Sequence, residues 1–229
     1  MQTALLDAFT LLLRGDPALW DIIRVSLQTT LCSLLLATPV ATVVAWLIAR
    51  SRFRGRRWLL WLVQTSLSLP TVLIGLLLYL MLSRSGPLGG WHWLFTQKGV
   101  ITGQTLLALP VLLSLSLNAL QAADPRLAET ALTLGARPWQ VMLTTLHEVR
   151  FGLIAAVIAA FGRIISEVGC ALMVGGNIAG ATRTMTTAIA LETGKGDFAQ
   201  GIALGMVLIL LALLVNAAFL LLQGDWRKA

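Results

Sequence analysis

Apolar residues run along this chain in five long, nearly charge-free stretches, roughly 25–49, 58–83, 99–123, 151–172 and 198–224. Arginine and aspartate collect in the segments between them. A helix rises about 1.5 Å per residue and a bilayer's hydrocarbon core is about 30 Å thick, so each stretch is long enough to cross it. The pattern predicts five transmembrane helices in an all-α, polytopic membrane protein. Pro39, Pro70 and Pro110 fall inside the first three stretches. A helix bundle tolerates this, because neighbouring helices and hydroxyl side chains satisfy the freed carbonyls. Ahead of the first stretch, Leu5, Leu6, Phe9, Leu12 and Leu13 recur at helical spacing. They predict an amphipathic segment over 1–21 lying on the external face of the membrane. Asp7, Asp16 and Asp21, with no basic start and no A-x-A site, argue against reading it as a signal peptide.

Composition agrees with the pattern. Hydrophobic residues are 57% of 229 and charged residues 12%, with a mean hydropathy of +0.84, which leaves too little polar surface to cover a soluble core. Charge then supplies a direction. Between Arg50 and Arg57 lie five arginines and no acid, and short arginine-rich loops stay in the cytoplasm. With that loop inside, 121–149 and the tail 225–229 are inside too, the N-terminus is outside and the C-terminus is cytoplasmic. The net charge of +7 sits at helix ends, so it speaks for a membrane and against nucleic acid. Cys32 and Cys170 both fall within spans and read as small apolar residues, not as a disulfide or metal site.

Catalytic chemistry has no foothold. No G-x-x-x-x-G-K-[ST] loop is present to hold ATP. His92 and His147, the two histidines, fall on opposite sides of the membrane, against a metal centre or a catalytic triad. A lipid-modifying enzyme would need a cluster of acids or histidines at one membrane face. A self-contained channel or secondary transporter would more typically show internal repeats. Neither pattern is visible.

The loop 124–149 carries more. Asp124-Pro125 opens a short helix, with Asp as N-cap and Pro in the first helical position. Gly135 stops it in the left-handed conformation that glycine favours, and Pro138 opens a second helix leading into the fourth span. Two short helices joined by a tight turn make a knob for a partner's groove.

Glu129-Thr130-Ala131, three residues, then Gly135 resembles the E-A-A-x-x-x-G loop of binding-protein-dependent ABC importer permeases. Thr130 stands where that family usually has alanine. Leu146-His147-Glu148 stands where it often has an apolar residue and L-P. The resemblance implies a type I ABC importer permease fold over 1–229 as a single transmembrane domain. It further implies that Glu129, Ala131 and Gly135 belong to a coupling helix that docks on a separate ATPase. A narrower resemblance runs through Ser83-Arg84-Ser85-Gly86-Pro87-Leu88-Gly89 and Val174-Gly175-Gly176-Asn177-Ile178-Ala179-Gly180 to Lys195-Gly196-Asp197-Phe198. It is similar to tungstate ABC transporter permeases, and molybdate permeases share a G-N-I-x-G-x-T-x-T pattern there. Transport of tungstate is therefore expected, with molybdate or sulfate as alternatives. The implied setting is a bacterial inner membrane, a permease homodimer, an ABC ATPase holding ATP and Mg, and an extracytoplasmic oxyanion-binding protein. The permease chain itself would carry no cofactor.

Other residues admit two readings. Gly175, Gly176, Asn177, Gly180 and Arg183 fall in a Gly/Thr-rich outer loop over 173–197, which either contacts the anion or docks the binding protein. Arg163 and Glu167 stand four apart in the fourth span, on one face of a continuous helix, and read as an intramembrane pair before they read as an anion contact. Ser66, Ser68, Thr71, Ser114, Ser116 and Asn118 fit a pore lining and interhelical hydrogen bonding equally well.

Overall fold

The computed structural model describes residues 16–51 and 53–226, and among them every regular element is helical. Helix α1 (Pro17–Arg50) opens with the Asp16 carboxylate accepting from the Ala18 N–H at 2.9 Å, and carries Pro39 inside it. Most of the predicted surface segment over 1–21 lies outside the described residues. Its last residues, 17–21, form the first turn of α1, where the Asp16-Pro17 pair starts the helix.

The second apolar stretch is two helices, α2 (Arg56–Ser66) and α3 (Thr71–Leu82), bent by 96° about Leu67–Pro70. Pro70 has no N–H, and its ring disfavours helical backbone in the residue before it. A 3₁₀ turn, Gly89–Trp91, precedes the long helix α4 (Gln97–Gln121), which contains Pro110. Two short helices follow, α5 (Pro125–Thr133) and α6 (Pro138–Glu148). The fourth apolar stretch is also broken, into α7 (Arg150–Ile165) and α8 (Gly169–Gly175), with a bend of 61°. Helix α9 (Met185–Lys195) leads to α10 (Phe198–Trp226). Three helices are long and apolar enough to cross a membrane, and the two bent pairs bring the number to five if each is one span.

Helices α1 and α4 run parallel. Ser33 donates to Ile101 O at one level, while Ala45 and Ile48 pack with Leu117 and Leu120 at the other. The main core gathers around this pair, with Leu112, Ile164, Val174, Met185 and Leu204 almost fully buried. Small residues let the broken halves approach. A Cβ on Gly75 would stand 2.8 Å from the Cys170 backbone, and one on Gly103 would stand 2.7 Å from the Cys170 thiol. Such close backbone contact is how helices associate where no hydrophobic force separates protein from lipid. Helix α10 is the opposite case, with only 6% of its apolar window buried and Ile209, Leu213 and Leu221 exposed. Its side chains are dressed for lipid or for another subunit.

Candidate functional site

One end of the bundle is closed by the α5–α6 hairpin. The Asp124 carboxylate accepts from the Arg126 N–H at 2.9 Å, filling one of the donors that a helix start leaves bare. At the other end of α5, Gly135 takes φ +81, its N–H bonds Leu132 O, and the Ala136 N–H bonds Ala131 O, both at 3.0 Å. These two bonds are a Schellman motif. It gives the Ala131–Gly135 spacing a physical reason, because the carbonyl of the first and the left-handed φ of the second belong to one turn. Beyond it, the Arg137 N–H bonds the Gln140 side chain at 2.7 Å and starts α6. Glu129 and Gly135 are exposed and Ala131 is half-buried. Leu134 is 82% exposed, and Leu132, Trp139 and Leu143 are exposed beside it. A hairpin whose backbone is satisfied locally thus presents apolar side chains outward, an arrangement that calls for a covering partner. Behind it lies a cleft of about 540 Å³ whose walls include Trp46, Arg50, Arg56, Asp124 and Glu129.

Roughly 33 Å away along α1, where Ser26 meets Met185, the segment 173–197 is a packed plug rather than a free loop. Thr182, Thr184, Thr186 and Thr187 are buried. The Thr182 hydroxyl donates to Gly175 O and accepts from the Ile178 N–H at 3.0 Å. Thr184 and Thr187 cap α9 reciprocally. The Met185 N–H, an orphan donor at the helix start, finds Ser26 Oγ of α1 at 2.7 Å. The Thr186 hydroxyl donates to Glu167 O at 2.8 Å and so ties the plug to the α7–α8 break.

This packing separates the five residues that the sequence grouped as an outer contact. Gly175 is buried, and a Cβ there would meet a Val100 methyl at 2.7 Å. Gly176 is exposed, with φ +69, and its N–H is committed to Leu172 O. The Asn177 amide donates to Thr187 O, and Arg183 Nη2 donates to Asn177 O at 3.4 Å. Asn177 Oδ1 and Arg183 Nε are buried without a partner. Only Gly180 stands at the open tip, beside exposed Ile178 and Ala179.

Between these two ends lie the helix breaks. The structure does not join Arg163 to Glu167, because the helix that would align them stops at Ile165. The Ser166 hydroxyl bonds back to Gly162 O at 2.7 Å and to Arg163 O at 3.2 Å, a local competition that disfavours the next helical turn. Glu167 is buried, and its Oε1 accepts from the Cys170 N–H at 3.0 Å, serving the start of α8. Arg163 is exposed and lines a small cavity with Ser66, Thr71 and Pro110. Of the hydroxyls with two readings, Ser114 and Ser116 are buried, and Ser114 donates to Gln64 Oε1 at 3.3 Å across α4 and α2.

Residues 37–228 match the family described as binding-protein-dependent transport system inner membrane component. The chain belongs to that family. The tungstate uptake system permease protein of Campylobacter jejuni is 42% identical over 92% of this chain and 88% of its own length. A probable anion ABC transporter permease protein of Haloferax volcanii is 41% identical over 86% of this chain and 87% of its own. The molybdenum transport system permease protein of Haemophilus influenzae is more distant, 33% identical over 73% and 76%. A bacterial ABC transporter involved in the import of the polysaccharide alginate shares the fold, with a TM-score of 0.73 at 21% identity over 97% of this chain and 83% of that one. These relatives are transport subunits and not catalysts, and the inner-membrane component described here shares their helical frame. What sequence reasoning missed in it is the polar seam formed by Ser26, Ser33, Gln104 and the plug threonines. The run Thr182–Thr187 carried a signal, since four hydroxyls in six residues satisfy one another only when folded together.

Proposed function

We propose that this chain is the translocation subunit of an ATP-driven ABC importer that carries a tetrahedral oxyanion, tungstate, into the cytoplasm. The observation that carries the cargo is the 42% identity to a tungstate permease across 92% of the chain. The 33% identity to a molybdenum permease supports molybdate as the second reading. In this proposal two copies form the pathway in a bacterial inner membrane, with five spans each, the N-terminus outside and the α5–α6 hairpin and C-terminus inside. The hairpin docks in a cleft of a separate ATPase, which holds ATP and Mg. Leu134 and Trp139 supply the buried apolar contact, and Glu129 lies at its margin. An extracytoplasmic binding protein delivers the anion at the opposite end, where Ile178–Gly180 form the exposed tip of the plug. The permease contributes orientation and passage rather than tight binding, since a deep site would hold the ion back.

The decisive experiment purifies the chain with its genomic neighbours, reconstitutes the complex in vesicles, and measures uptake of tungstate, molybdate and sulfate in parallel. The expected order is tungstate, then molybdate, with sulfate poor. Uptake that ignores all three anions, or a complex without any ATPase, rejects the reading.

A further inference from the structure

Every exposed face of a membrane helix meets lipid, water or another subunit, and the composition of the face says which. On α10 the exposed residues are apolar, including Ile209, Leu210, Leu213 and Leu214. Around the break between α2 and α3 polar residues are exposed among apolar ones such as Leu67, Leu69 and Val72. Gln64, Thr65 and Ser68 are exposed there, and Arg163 and Ser166 are exposed at the neighbouring end of α7. The backbone from Leu67 to Pro70 is irregular and its residues are exposed. Irregular backbone at membrane depth survives only when buried in protein or facing a water-filled cavity, and this chain does not bury it. Arg163 stands about 20 Å along α7 from its start, deep within a ~30 Å hydrocarbon core. No described carboxylate comes within ion-pair distance of it, since Glu167 is turned into the α8 start. An arginine at that depth with neither acid nor lipid headgroup in reach requires water or an anion. Beside it, α3 begins at Thr71 behind Pro70, which has no side-chain donor or acceptor to cap the helix start. The positive end of that helix dipole is therefore open to the same small cavity.

We infer that Arg163, with the Thr71 hydroxyl and the start of α3, is a way station for a tetrahedral oxyanion within the aqueous translocation path. The inference rests on the oxyanion reading of the transporter. The guanidinium offers a fork of donors to two anion oxygens, the Thr71 hydroxyl offers a further donor, and the absence of an enclosing cage keeps the stop shallow enough for release. Two chains around a common axis would present two such arginines to one passage.

The test uses the assembled transporter with its ATPase and binding protein in vesicles. Cysteine is placed at Arg163 in a background where Cys32 and Cys170 are alanine, and a small anionic methanethiosulfonate is added. Reaction that millimolar tungstate slows is the expected result, whereas a cysteine that does not react is facing lipid and overturns the inference. In Arg163→Gln, tungstate uptake falls about tenfold while binding-protein-stimulated ATP hydrolysis stays within about twofold, and Arg163→Lys recovers part of the uptake. Wild-type uptake in Arg163→Gln overturns the assignment. So does an equal loss of uptake and hydrolysis that lysine leaves unrepaired, which marks a structural role. A wild-type complex that moves no oxyanion rejects the cargo instead, and the labelling result still says whether Arg163 faces water.

Discussion

The α5–α6 hairpin and the 173–197 plug use the same parts in opposite ways. Both join short helices through glycines in the left-handed region, Gly135 in one and Gly176 and Gly180 in the other. The hairpin satisfies its backbone from within, through Asp124, Gln140 and the Schellman turn, and leaves Leu134 and Trp139 outside. The plug turns its threonines inward and takes a bond from α1 to complete its last helix. A surface built for a partner is locally self-sufficient and outwardly incomplete. A surface built to seal the bundle is complete only with the rest of the chain around it. The difference teaches that the same turn chemistry serves recognition or closure according to where the side chains are left.

Three substitutions probe that contrast, ordered by their expected effect on folding. Gly75→Val strikes the plug's foundation, since its Cβ would press on the Cys170 backbone at 2.8 Å and backbone cannot step aside cheaply. A loss of about 2–3 kcal/mol is expected, seen as a lower thermal midpoint in detergent, and an unchanged midpoint would show that α8 is not braced against α3. Ser26→Ala removes the acceptor for the Met185 N–H. The orphaned donor costs about 1–2 kcal/mol, with faster hydrogen exchange confined to α9, while ATPase coupling persists. Exchange spread evenly over the bundle would argue that the plug does not fold as a unit. Gly135→Val meets no atom within 4 Å, so only φ +81 opposes it. The strain of about 1–2 kcal/mol stays in the turn, the bundle's midpoint barely moves, and stimulated ATP hydrolysis collapses. Wild-type coupling in this variant would remove the hairpin from the docking surface.

The hairpin was legible in the sequence because its signals are local. Asp124-Pro125, Gly135 and Pro138 mark starts and a stop within a few residues, and the helices begin and end there. The plug was not, because Met185 and Ser26 are 159 residues apart and no window of neighbouring residues contains both. Apolar length misled in a third way. Stretches 58–83 and 151–172 are greasy throughout, so hydropathy counts each as one rod. The bends lie instead in Ser66-Leu67-Ser68-Leu69-Pro70 and in Ser166-Glu167-Val168-Gly169. The placement of Arg163 and Glu167 on one helix face inherited that error. A back-bonding serine followed by an acid that can cap the next helix was the available clue.

One joint has a mechanical consequence. Helix α6 ends at Glu148 and α7 begins at Arg150, yet the Val149 N–H bonds Thr145 O and Val149 O accepts from the Leu153 N–H, both at 3.1 Å. Val149 itself takes φ −91 and ψ 13, outside the helical range, so the two bonds span a joint and not a continuous helix. The hairpin is therefore hinged to α7 at a single residue and not slung from it by a free loop. The 16 residues of α7 span about 24 Å beyond that hinge. A displacement of the hairpin enters α7 through this one residue, and α7 gives way at Ser166, close to the guanidinium of Arg163.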